Sequence, residues 1–122
     1  RRHFAFTGDE ESEKRLESGL EKIAPIAKDA PASFGFALRT AHLNSEVPAE
    51  LVLGGSPEDG RPFLEALQGR LLPHLLVCSG STSGLKEELV RGKSAGQAYL
   101  CRERACGMPC DDVGALVEQL PS

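Results

Sequence analysis

Between residues 9 and 43 the apolar positions recur with a helical period. Leu16, Leu20, Ile23 and Ala27 fall at i, i+4, i+7 and i+11. That stripe predicts an amphipathic helix, capped by Asp9 or Ser12 and running to about Lys28. Glu10, Glu11 and Glu13 fall in its first turn, where the helix dipole favours negative charge, so this acidic run reads as a solvated face. Pro25 is expected to kink or shorten the last turn. Pro31 and Ser33 open a second helix to about Leu43, with Phe34, Leu38 and Ala41 on one face, and the short link predicts a helical hairpin over 9–46. Residues 1–8 read as a flexible entry segment.

Past the breaker-rich stretch Asn44–Pro48 the pattern changes. Glu50–Gly55 is a short apolar run ended by glycines, which predicts a buried strand. Ser56, Pro57 and Asp59 read as the start of a helix carrying Phe63, Leu64, Leu67 and Leu71, stopped by Pro73. His74–Cys78 and Gln97–Cys101 predict two more strands, separated by Gly- and Ser-rich loops around a short helical stretch with Leu85, Leu89 and Val90. Asp111 or Asp112 then caps a last helix with Val113, Leu116, Val117 and Leu120 on one stripe. Strands separated by helices favour parallel pairing through crossovers. The expected fold is α/β: a helical hairpin followed, over 47–122, by a small three-stranded, mostly parallel sheet with flanking helices, in one compact unit with the hairpin.

Composition narrows the function classes. The chain has 122 residues, enough for one domain of ordinary size. With no Trp, one Tyr and five Phe, its core must be built mainly from Leu, Val, Ile and Ala. The net charge is −4 and Lys and Arg do not cluster, so a nucleic-acid partner is not expected. No apolar run approaches the roughly 18 residues of a membrane helix. The segment Arg1–Phe6 lacks the long apolar core of a leader, so a cytoplasmic location is expected.

Four cysteines carry the first candidate chemistry. Cys101, Cys106 and Cys110 stand as C-x4-C-x3-C, and Cys78 follows an apolar run as a small core residue. A zinc site would want a second clamp, and His3, His42 and His74 are scattered. The absence of C-x-x-C argues against a thioredoxin-type redox motif. Free thiols in a reducing compartment come first among the readings, with a Cys101–Cys106 disulfide open if the loop turns back on itself, and a thiol–metal site third. No metal or cofactor is assigned. Gly54, Gly55 and Ser56 lie between a strand and a predicted helix start, where backbone N–H groups can hold an anion. They match neither dinucleotide nor P-loop patterns, and Glu58 and Asp59 beside them would repel phosphate. The Ser79–Gly84 stretch is not G-x-S-x-G, the histidines have no evident orienting partner, and no catalytic residue is assigned.

The string Ala98-Tyr99-Leu100-Cys101, followed by Cys106 and Pro109, an acidic helix start and a leucine-bearing last helix, resembles one family's C-terminus. It is that of the thioredoxin-domain-containing proteins related to spermatogenesis-associated protein, whose tail reads A-Y-x-C-x4-C-x-x-P. Leu51-Val52-Leu53-Gly54 with Pro57 and Asp59 looks like that family's upstream strand, and the likeness extends over residues 9–122. Between the cysteines the family shows an Asn and an aromatic, where this chain has Arg102-Glu103-Arg104-Ala105. The resemblance implies a C-terminal accessory domain, non-catalytic itself, whose partners are the thioredoxin-like and α/α-toroid domains of the same polypeptide. Two alternatives stand beside it: a thiol-redox or zinc-binding module using Cys101, Cys106 and Cys110, and a small-ligand site at the strand carboxyl ends around Gly54-Gly55 and Ser79-Gly80.

Overall fold

In a computed structural model, residues 2–103 and 105–120 are described, and they divide into two compact units, one ending at Val47 and the other starting at Pro48. The pattern predicts one compact unit, whereas the described residues cluster into two.

The first unit is helical. Helix α1 (Arg2–Thr7) occupies the stretch expected to be a flexible entry segment. It is held at its end by Gly8, whose N–H donates to Phe4 O at 2.8 Å, and by Thr7 Oγ1, which donates to His3 O at 2.8 Å. Helix α2 (Glu10–Asp29) starts at the expected cap: the Asp9 carboxylate accepts from the Glu11 and Ser12 N–H groups at 3.1 and 3.3 Å. Pro25 lies inside α2, and the helix continues through it. The hairpin then turns through one short 3-10 segment (Pro31–Phe34) into α3 (Gly35–Leu43). Asn44 closes α3, its N–H and its side-chain amide both donating to Thr40 O.

The second unit is built on a four-stranded sheet in the order β2-β1-β3-β4. Strand β1 (Ala49–Leu53) pairs parallel with β2 (Leu75–Ser79) and antiparallel with β3 (Ala98–Arg102), and β3 pairs antiparallel with β4 (Ala105–Cys106). The sheet is thus mixed, with one parallel pair where a mostly parallel sheet was expected, and one short strand more. The reason lies in residues 80–97. The only helix there among the described residues is α5 (Glu87–Val90), too short to carry the chain back across the sheet. The chain instead re-enters beside the carboxyl end of β1, where Gly54 N–H donates to Gln97 O at 2.8 Å, and β3 runs back antiparallel.

Helix α4 (Arg61–Leu67) joins β1 to β2 and is shorter than the apolar spacing suggested. Ser56 and Asp59 close a turn ahead of it, and Gly69, at φ 80°, ends the segment before Leu71, which is left 91% exposed. Helix α6 (Val113–Gln119) starts at Asp112, whose carboxylate accepts from Ala115 N–H at 3.0 Å. Strand alternation then assigns the two faces of the sheet. Leu51, Leu53, Ala98 and Leu100 form one core with Phe63 from α4 and Leu116 and Leu120 at α6. Glu50, Val52, Leu76, Cys78, Tyr99 and Cys101 lie on the other face by register. No helix among the described residues is long and apolar enough to cross a membrane.

Leu116 is fully buried in the α4–α6–sheet core. Leu116→Ala is expected to destabilise this unit by about 2–5 kcal/mol, the transfer and cavity cost of a buried leucine. Urea unfolding followed by far-UV circular dichroism measures it.

Candidate functional site

The folding of β1 and β2 side by side brings Gly54, Gly55 and Ser56 together with Ser79 and Gly80 at the carboxyl ends of the parallel pair. There the backbone is occupied by the chain itself. Gly54 O accepts from Gly96 N–H at 3.2 Å, and Gly80 N–H donates to Leu53 O at 2.7 Å. The Ser56 N–H and hydroxyl both donate to Asp59 Oδ2, at 2.8 and 2.7 Å. The Asp59 carboxylate thus takes from Ser56 the hydrogen bonds an anion would take. The Ser56 hydroxyl, and then its N–H, hold the Asp59 carboxyl below the usual aspartate value. Ser79 Oγ donates to Gly55 O at 3.3 Å and shares a 2.8 Å hydrogen bond with Ser81 Oγ. Gly55 adopts φ 87°, and a Cβ on Gly54 would overlap the Ser94 carbonyl.

The three clustered cysteines separate in space. Cys101 and Cys106 face each other across β3–β4 and are joined in a disulfide, with Cα atoms 3.8 Å apart. The reading that put free thiols first is corrected here for this pair. The chain reverses immediately after β3, with Glu103 at φ 47°, and Gly107 N–H donates to Leu100 O at 2.9 Å. This places Cys101 and Cys106 at the non-hydrogen-bonded position, where opposed side chains come closest. Cys110 belongs to the other face. It pairs with Ala98 through two backbone hydrogen bonds of 2.8 and 3.0 Å and is 1% exposed within the core. Its sulfur accepts from Gln119 Nε2 at 3.2 Å, and burial, then the charges of Asp112 and Asp111, push its thiol up. Cys78, on the Glu50 face, is pushed up to about 11 by burial and by the Glu50 charge. Among the described residues no group of three His, Cys, Asp or Glu side chains is placed to hold a metal ion. The histidines stay dispersed: His3 Nε2 lies 3.5 Å from Asp9 Oδ2, His42 is in α3 and His74 directly precedes β2.

The residue that pattern reading passed over is Glu50. It is only 7% exposed, in the central strand, and sits directly opposite Cys101 on one side and Leu76 on the other. Burial raises its carboxyl above the ordinary glutamate value, and the Lys86 charge partly offsets this. The signal available in the sequence was a charge opening an otherwise apolar buried run.

Comparison with family models, curated proteins and solved structures found no match to this chain.

Two outcomes follow from this geometry. Gly54→Ala is expected to cost about 1–3 kcal/mol, since the Ser94 carbonyl cannot yield as a side chain does; urea midpoints measure it. For Glu50 the folded chain binds the proton more tightly than the unfolded chain. Its contribution to stability is therefore fully present below the unfolded value, about 4.3, and is lost as pH rises through the raised folded value. Burial, offset in part by the Lys86 charge, sets that upper limit, and Glu50→Gln is expected to flatten this part of the stability profile, read from urea midpoints taken across acid to neutral pH.

Proposed function

We propose that this chain is a non-catalytic accessory and interaction domain, working in the cytoplasm, that docks on the thioredoxin-like and α/α-toroid domains of the same polypeptide. The observation that carries the reading is an open apolar groove of about 540 Å³ between α2 and α3. Leu20, Ile23 and Ala27 line it from α2, and Ala37, Leu38 and Ala41 from α3. Alanines on both walls leave unfilled the space that larger side chains would close. Leu38 remains 43% exposed, and Phe36 on the same helix is 84% exposed. An uncovered apolar surface of this kind on a small unit suits a partner. Its shape and walls suit an amphipathic helix laid into the groove, and a toroid built of helices presents that element. Glu21 and Lys28 at the groove supply both charge signs to orient such a helix.

Calorimetric titration of the chain with the thioredoxin-like and toroid portion of its polypeptide tests the reading. Saturable binding is expected, with Leu38→Glu weakening it at least tenfold, about 1.4 kcal/mol, while circular dichroism stays unchanged. No binding by the unaltered chain, or equal binding by Leu38→Glu, rejects it.

A further inference from the structure

We propose that the Cys101–Cys106 pair is a thiol–disulfide exchange site, opened at Cys106 by a small thiol of the glutathione class, with Glu50 supplying the proton to the departing Cys101 sulfur. The site lies in the second unit and stands or falls independently of the docking groove.

Three features of the geometry carry this. First, the two cysteines differ in access: Cys101 is fully buried in β3, whereas Cys106 lies exposed in β4, the edge strand. An incoming thiolate can reach the Cys106 sulfur and not the Cys101 sulfur, and access decides which sulfur is attacked. Second, the bond closes a short loop, with a sequence separation of 5, between strands already paired by their backbones. Loop-closure stabilisation grows with loop length, so a bond over this span contributes at the low end for a disulfide. It is poorly suited to serve as a staple, and disulfides that are accessible at a surface are the labile ones. Third, the sulfur that must leave is buried opposite Glu50, in the same cross-strand row of the same face. A thiolate released into a buried site is costly unless it is protonated, and a carboxyl is the neighbour that can do so. Among the described residues Glu50 is the buried charged side chain of this face; burial raises its carboxyl, the Lys86 charge partly offsets this, and Glu50 in turn acts on Cys78.

The steps balance. A thiolate attacks the Cys106 sulfur, a new S–S bond forms to the small thiol, and the Cys101–Cys106 bond breaks. Cys101 leaves with the electron pair and takes a proton from the Glu50 carboxyl, which becomes carboxylate and is reprotonated from solvent. A second small thiolate then attacks the mixed disulfide, releasing Cys106 as thiolate and the oxidised small-molecule disulfide. Two electrons pass from the two small thiols to the protein. The reverse sequence, with the oxidised small molecule as oxidant, closes the bond again. Cys110, in the core on the opposite face, takes no part.

The test equilibrates the whole chain in buffers of varied reduced-to-oxidised glutathione ratio, followed by acid quenching, alkylation and peptide mass mapping. The expected result is a reversible two-electron transition confined to Cys101 and Cys106. In Cys101→Ser, glutathione is expected on Cys106; in Cys106→Ser, Cys101 is expected to stay unmodified in the folded chain. Glu50→Gln is expected to slow opening of the unaltered pair by roughly tenfold, below the usual range of general acid catalysis because a thiolate leaves readily. A bond that no glutathione ratio opens, a pair that never closes, or glutathione loaded equally on Cys101 overturns the site. An unchanged opening rate in Glu50→Gln overturns the proton donor. The redox titration uses the unaltered chain, so a poorly folding variant does not decide the outcome.

Discussion

The second unit hangs on β1. Leu51, Val52 and Leu53 are 0–3% exposed, so this strand is buried on both faces and paired on both edges. Such a strand has no side left for water, and its neighbours must supply both hydrogen bonds and apolar cover. One edge takes β2 and the other takes β3. Gly54 ends the strand where the returning backbone of 94–97 passes too close for any Cβ. That close approach forces β3 to start beside the end of β1, and so makes the sheet mixed. Tyr99 reinforces the same corner: its hydroxyl donates to Gln97 Oε1 at 2.7 Å and accepts from Ser94 N–H at 3.0 Å, while Lys93 Nζ lies 4.3 Å from its ring centre.

A strand buried on both faces is an expensive place for a carboxyl, and Glu50 occupies one. Burial of this residue links three pieces of chemistry that are far apart in the chain: the Cys101–Cys106 pair across one strand edge, the Cys78 thiol across the other, and the Lys86 charge ahead of α5. The helical unit uses simpler means. Its apolar stripe is rich in alanine, so the hairpin closes with a groove along its seam instead of a filled core, and the largest apolar side chain of α3, Phe36, points to solvent.

Much of the fold is legible in the residues. The Asp9 cap and the stripe Leu16–Ala27 mark α2, the run Leu51–Leu53 marks the central strand, and Asp112 with Leu116 and Leu120 marks α6. These are local matters: a side chain capping nearby N–H groups, or a period matching one face of an element. Local signals also over-extended α4, because the Ser56–Asp59 pairing that resembles a helix start serves equally well to close a turn. They missed α1 and β4, which are short and carry little periodicity of their own.

Residue types and spacing alone determined the element types of the longer segments, the α/β class and the presence of a thiol-rich tail. Tertiary structure alone decided strand direction, the split into two units, the pairing of Cys101 with Cys106 and the exclusion of Cys110 from that pair. Spacing measures separation along the chain, whereas the side of a sheet a cysteine occupies follows from register. The register of β3 on β1 is fixed by partners about fifty residues away, Glu50 to Cys101 among them, which no local pattern contains.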